Sequence, residues 1–143
     1  MKTFGSVSEY HHERARDLLR AYFRCIAVCD HISMPDVFRS VAASPATRFW
    51  VSAPRAAVVV AKILRGDKLL WMRPNKREMF FEIYRRFLVL RRANPHWTVP
   101  HLVGEVVAQP APCFYLAPGS ARVLILKARK QWFEEKSKRL RGC

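Results

Sequence analysis

The chain has 143 residues, 26 Lys and Arg against 11 Asp and Glu, a formal net charge of +15 and a pI near 10.6. That length fits one compact domain or two very small ones, and with half its residues hydrophobic the chain is not a disordered basic tail. No apolar run is long enough to cross a bilayer, and Met1-Lys2-Thr3-Phe4-Gly5 lacks the apolar core and small-residue cleavage site of a secretion signal, so a cytoplasmic location without membrane insertion is expected.

In chain order, a first helix is expected from Ser8, as N-cap, to about Val28. Its apolar positions Ala15, Leu18, Leu19, Tyr22, Phe23, Ile26 and Ala27 step by three and four, as a half-buried helix requires. Arg14, Arg16, Arg20 and Arg24 decorate its other sides. Asp30-His31-Ile32-Ser33 breaks it, and Ser33 with Pro35 opens a second, short helix to about Ala43. A hydroxyl before the first turn accepts a backbone N–H, and proline is tolerated there because its missing N–H is an orphan anyway. Ser44-Pro45 ends that helix.

Thr47-Arg48-Phe49-Trp50-Val51-Ser52 carries too many large apolar residues for an ordinary loop, and is expected to be extended and partly buried. Ser52 and Pro54 start a third helix that stops at Gly66. Its β-branched run would also suit a strand; the alanines, Lys62 and the proline start favour helix. Residues 67–75 form an apolar linker (Leu69, Leu70, Trp71, Met72) rather than a flexible spacer. Asn75 is expected to cap a fourth helix, Thr98 with Pro100 a fifth, and Ala117 with Pro118 a sixth that continues to about Leu140.

The chain matches itself at an offset of 65 residues. Between residues 11–65 and 76–130, without a gap, twelve positions are identical, among them Pro35/Pro100, Pro45/Pro110, Ala46/Ala111, Phe49/Phe114 and Lys62/Lys127. Average composition would give roughly three. Shared helical periodicity aligns apolar residues, but it does not align two prolines and an aromatic. Self-similarity at a fixed period marks a repeated supersecondary unit. The expected fold is therefore mostly α: two tandem pseudo-symmetric three-helix repeats, 1–66 and 76–143, with a short extended segment in each. A unit this small is marginal alone, so the two copies are expected to share a core. The segments around Phe49-Trp50 and Phe114-Tyr115 are candidates for a small paired ribbon between them.

In each copy the last two helices, over residues 33–65 and 98–130, resemble a helix-turn-helix, with a connector longer than the usual three or four residues and no glycine at the turn. The resemblance is at the level of the motif, and it implies DNA binding by the third helix of each copy. It places Arg48, Ser52, Arg55, Lys62 and Arg65 on or beside the recognition helix of copy one, and Arg122, Lys127, Arg129 and Lys130 in copy two. Arginine's planar fork suits phosphate and guanine edges, and lysine mostly phosphate. Arg85 and Arg86, with Arg91 and Arg92, form a basic stripe on the fourth helix, and Lys138 and Arg139 belong to a basic C-terminal end. That end either docks on phosphate or complements the helix dipole.

Phe49, Trp50, Phe114 and Tyr115 can stack on bases, but their recurrence at matching positions favours core packing. Cys25, Cys29 and His31 invite a metal reading, but the second copy carries Leu90 and Asn94 in place of the two cysteines, so packing thiols are expected and no metal. His31 and His96 recur at the helix junction and are expected to be structural hydrogen-bonding or capping residues. No phosphate-binding loop, nucleophile elbow or dinucleotide loop is present. The expectation is a non-enzymatic, cofactor-free protein that binds duplex DNA as an intramolecular pseudo-dimer, reaching adjacent grooves roughly 34 Å apart, as regulator or architectural factor. The alternative is an adaptor whose basic face docks on an acidic protein or a ribonucleoprotein.

Overall fold

Three of the helix starts are written in short local signals. In a computed structural model, which describes residues 3–28 and 33–142, the helices are α1 (Thr3–Val28), α2 (Met34–Ala43), α3 (Ala53–Leu64), α4 (Pro74–Ala93), α5 (Val99–Val107) and α6 (Pro118–Arg141). Ser52 and Thr98 act as N-caps whose side chains accept the Arg55 and His101 backbone N–H groups, each at 3.3 Å. Ser33 takes the N-cap position of α2, but its hydroxyl donates to the Asp36 carboxylate at 2.9 Å instead of capping the backbone. α6 runs one residue past the expected end.

Two expected starts are corrected. α1 begins at Thr3, so Ser8 lies inside it. α4 begins at Pro74 with Arg73 as N-cap, not Asn75; proline's fixed φ makes it the natural first helical residue. Among the described residues there is no strand, so the expected paired ribbon is absent. One antiparallel bridge joins Ala46 and Ala111, which exchange two N–H···O bonds of 3.0 Å. They are 65 residues apart.

The helices divide into two compact units that are not the sequence halves. Unit 1 holds residues 1–44 and 116–143, and unit 2 holds 45–115. In unit 1, α1, α2 and α6 pack on one another; in unit 2, α3, α4 and α5 do. Each unit thus takes two helices from one half of the sequence and its third from the other. Helices consecutive in the chain, α2 and α3, belong to different units, so the helix-turn-helix expected over 33–65 is not a packed unit. The partners of α3 are α5 and α4, and those of α6 are α1 and α2.

Unit 1 buries Leu18, Ala21 and Tyr22 of α1, Val37, Phe38 and Val41 of α2, and Ala121, Ile125 and Ala128 of α6. Spacings of three and four in each helix present one apolar stripe to the other two. Unit 2 buries Ala56, Val59, Val60 and Ile63 of α3 against Phe80, Ile83 and Phe87 of α4 and Leu102, Val103 and Val106 of α5.

The turn between α3 and α4 is ordered by two side chains. Gly66, at φ +98°, closes α3 in the left-handed region that glycine enters without a Cβ penalty. The Asp67 carboxylate then accepts the Leu69 backbone N–H at 2.7 Å and the Trp71 indole N–H at 3.3 Å. Arg77 donates to the Leu69 and Met72 carbonyls at 3.1 and 3.0 Å. Leu69 and Met72 are buried, whereas Leu70 and Trp71 are exposed.

Candidate nucleic-acid interface

Both units are basic: unit 1 carries fourteen Lys and Arg against seven Asp and Glu, and unit 2 twelve against four. Within unit 1 the excess is concentrated. Residues 1–44 are nearly balanced, at six against five, while 116–143 carry eight against two.

That concentration has a helical geometry. Ala121, Ile125 and Ala128 make the buried face of α6. Lys127, Lys130, Lys138 and Arg141, with Glu134 between them, recur at spacings that return to the opposite face, and all are exposed. Arg122 and Arg129 flank this stripe, seven residues apart and exposed. From Arg129 to Gly142 every residue is exposed, so the last three turns and more of α6, about 20 Å of helix, form a basic arm. Lys136 lies over the Trp132 ring at 5.0 Å and Arg129 over Phe133 at 5.6 Å. Lys138 and Arg139 are both on this arm.

In unit 2 the expected set divides. Arg55 and Lys62, seven residues apart, share a face of α3, with Arg65 just beyond it. Arg55 and Arg65 are exposed; Lys62 is half-buried with its ammonium 4.9 Å from the Trp71 ring centre. Ser52 serves α3 as its cap.

Arg48 and Arg86, of the expected contacts, are engaged by groups of the protein itself. Arg48 donates to its neighbours' carbonyls, Phe49 and Val51, at 3.0 Å each, and lies 5.2 Å from the Trp50 ring centre. Arg86 donates to Glu82 at 2.8 Å, to the Gln109 side-chain oxygen at 3.2 Å and to the Pro110 carbonyl at 2.8 Å, with its guanidinium 4.9 Å from the Phe49 ring centre. Both forks are engaged within the protein, Arg48 by backbone carbonyls and Arg86 by a carboxylate, a side-chain amide oxygen and one backbone carbonyl. Arg85 forms a bidentate pair with Glu82, at 3.0 and 2.6 Å, on the exposed side of α4; its hydrogen bonds hold the Glu82 carboxyl below its usual range. Arg91 and Arg92 are exposed at the end of the same helix.

The four aromatics of the connectors pack as expected. Phe49 and Phe114 are buried, Trp50 and Tyr115 half-buried, and Phe49 stacks on Tyr115 at 6.2 Å. Burial pushes the Tyr115 phenol up to about 12 and the Cys113 thiol upward, which leaves Cys113 a thiol at neutral pH. Among the described residues no three His, Cys, Asp or Glu gather as a metal site. Cys29 and His31 lie outside the described residues; Cys25 is half-buried, its sulfur 3.8 Å from the Ser44 hydroxyl. His96 is exposed. No described helix is long and apolar enough to cross a membrane.

Sequence reasoning missed two arginine roles and one surface. Arg77 and Arg86 are structural forks, with no local signal for the distant carbonyls they bind. The surface is a hollow between α1 and α6 (floored by Leu19 and Ala128), for which the i,i+4 pair Arg16 and Arg20 was the available sign. No family model, curated protein or solved structure matches the chain.

Proposed function

We propose that the chain is a non-enzymatic nucleic-acid-binding protein, most simply of duplex DNA, acting as a regulator or architectural factor. The observation that carries this reading is α6: four cations on the face opposite its buried stripe, continued by a wholly exposed basic arm. A straight row of cations with one or two turns between them follows a phosphate backbone, and releasing condensed counterions drives such binding without sequence reading. Arg122, Lys127, Arg129, Lys130 and Lys138 are the contacts in unit 1. Arg55, Arg65, Arg91 and Arg92 are those in unit 2.

The self-match is read as an internal duplication in which each copy gives its third helix to the other. Supporting it, α2 and α5 start 65 residues apart, as do α3 and α6. Each unit then pairs a third helix with the first two helices of the opposite copy, and presents that third helix to the nucleic acid. Because Arg55 is matched by Ser120 and Arg48 by Cys113, the two units need not make the same contacts.

The test compares gel shifts of the intact chain on duplex DNA, single-stranded RNA and heparin. Preferred retention of duplex is expected. Equal competition by all three would reduce the reading to general polyanion affinity, and no shift at low salt would overturn it.

A further inference from the structure

We propose that the hollow between α1 and α6 in unit 1 is a docking groove for an acidic amphipathic helix of a partner protein, separate from the phosphate-binding stripe. The hollow has a volume of about 380 Å³, within the range of built ligand sites. Its floor is apolar: Ala15, Leu19 and Phe23 from α1, Ala128 and Trp132 from α6. Its border is basic, with Arg16 and Arg20 on α1 and Arg139 on α6 against Glu135 in the lining; Arg20 also lies 3.8 Å from the buried Asp17 carboxylate. Ala15 and Ala128 are the small side chains of the lining; Phe23 and Trp132, with ring centres 5.7 Å apart, meet across it. Phe23 and Trp132 are each 39% exposed, so apolar surface stays open among the described residues of this hollow.

Shape and chemistry select the occupant. The lining spans twelve residues from His12 to Phe23 and as many from Ala128 to Arg139, about 16 Å of helix from end to end, or three turns. That is the footprint of apolar anchors at i, i+3 or i+4, and i+7 of a helix lying in a groove. The apolar floor offers a phosphate nothing. Its Trp132 ring is already engaged by Lys136 at 5.0 Å and edge-on by Phe133 at 4.7 Å, and Phe23 tilts against that same ring, which suits aliphatic anchors better than a stacked base. Arginines on the rim favour carboxylates flanking the anchors, and a charge-matched rim adds on-rate and specificity.

The probe is a fluorescein-labelled synthetic peptide of about 14 residues, with leucines at those spacings and glutamates flanking them. Two control peptides carry lysines in place of the glutamates or the same residues scrambled. Anisotropy with the intact chain is expected to show saturable binding of the acidic peptide, and binding at least about tenfold weaker for each control. Arg16→Glu and Phe23→Ala are exposed changes and should each weaken it by about tenfold, with the circular dichroism spectrum and the duplex-DNA shift unchanged. Equal binding of the lysine peptide, or unaltered binding by both variants, overturns the proposal. The latter result together with displacement of the peptide by duplex DNA would assign it to the general basic surface. Loss of duplex binding in α6 variants with peptide binding retained would sink the nucleic-acid reading of α6 contacts in no way, but it would separate the two sites as proposed.

Discussion

Replacing Arg86 by alanine should cost unit 2 more stability than any other single cation on α4. The guanidinium is only 24% exposed and holds three acceptors, of which the Pro110 carbonyl at 2.8 Å and the Gln109 oxygen at 3.2 Å lose this donor. Hydrogen bonds from a charged donor contribute about 1.5–3 kcal/mol each when shielded, and a cation over an aromatic ring about 0.5–1 kcal/mol. Glu82 keeps its bidentate partner Arg85, so its share of the loss is small. Partial solvent access at Pro110 reduces the rest, and the expected net loss is about 2–3 kcal/mol. With a urea dependence of about 1–3 kcal/mol per molar, the denaturation midpoint should fall by roughly 1–2 M. Arg85→Ala removes only an exposed pair and should move the midpoint far less than Arg86→Ala does. Arg86→Lys keeps the charge but not the fork, and should recover less than half of the loss. Urea titrations followed by far-ultraviolet circular dichroism distinguish these. Equal midpoints for Arg86→Ala and Arg85→Ala, with duplex affinity reduced in both, would refute the structural role and return Arg86 to the nucleic-acid contacts.

Ser52→Ala and Thr98→Ala should each lower stability by about 1 kcal/mol, because each orphans a capped backbone N–H. Ser33→Ala, whose hydroxyl binds Asp36 instead, should cost less in the same urea titration; equal losses for all three would deny the distinction. Tyr115 is neutral in the fold with its phenol raised from 10.0 to about 12, first by burial. The folded state therefore holds this proton where the unfolded chain releases it, and stability falls as pH rises from about 10 to 12. Thermal unfolding of Tyr115→Phe should show a shallower decline over that window than the parent; parallel curves would contradict the burial.

Helix boundaries were legible because their signals are local. Ser52, Thr98, Pro54, Pro100 and Gly66 act within a turn of where they stand, and α2, α3 and α5 start where those residues put them. There are two exceptions: α1 begins at Thr3 rather than after Ser8, and Arg73, the N-cap before Pro74, has no side-chain hydrogen bond to advertise it. Which helices pack together was not legible. Periodicity says which face is buried but not against what, and α3 and α6 carry matching apolar faces through Ala56/Ala121 and Val60/Ile125, all buried. Either helix satisfies either pair of partners by pattern alone. The cations divide for a similar reason. Arg55 and Arg86 read alike in sequence, yet the Gln109 and Pro110 oxygens that engage Arg86 lie 23 and 24 residues away.

The central claim is that the exposed face of α6 binds a nucleic-acid backbone, and the slope of log K against log salt for duplex DNA tests it most directly. Lys127, Lys130 and Lys138 lie on that face and are exposed, so replacing all three by glutamine should leave the circular dichroism spectrum unchanged. Each phosphate contact contributes about 0.9 to the slope, so the triple variant should bind more weakly with a slope shallower by roughly 2.7. A parent affinity that does not change with salt, or a triple variant with the parent's slope and affinity, would contradict the account.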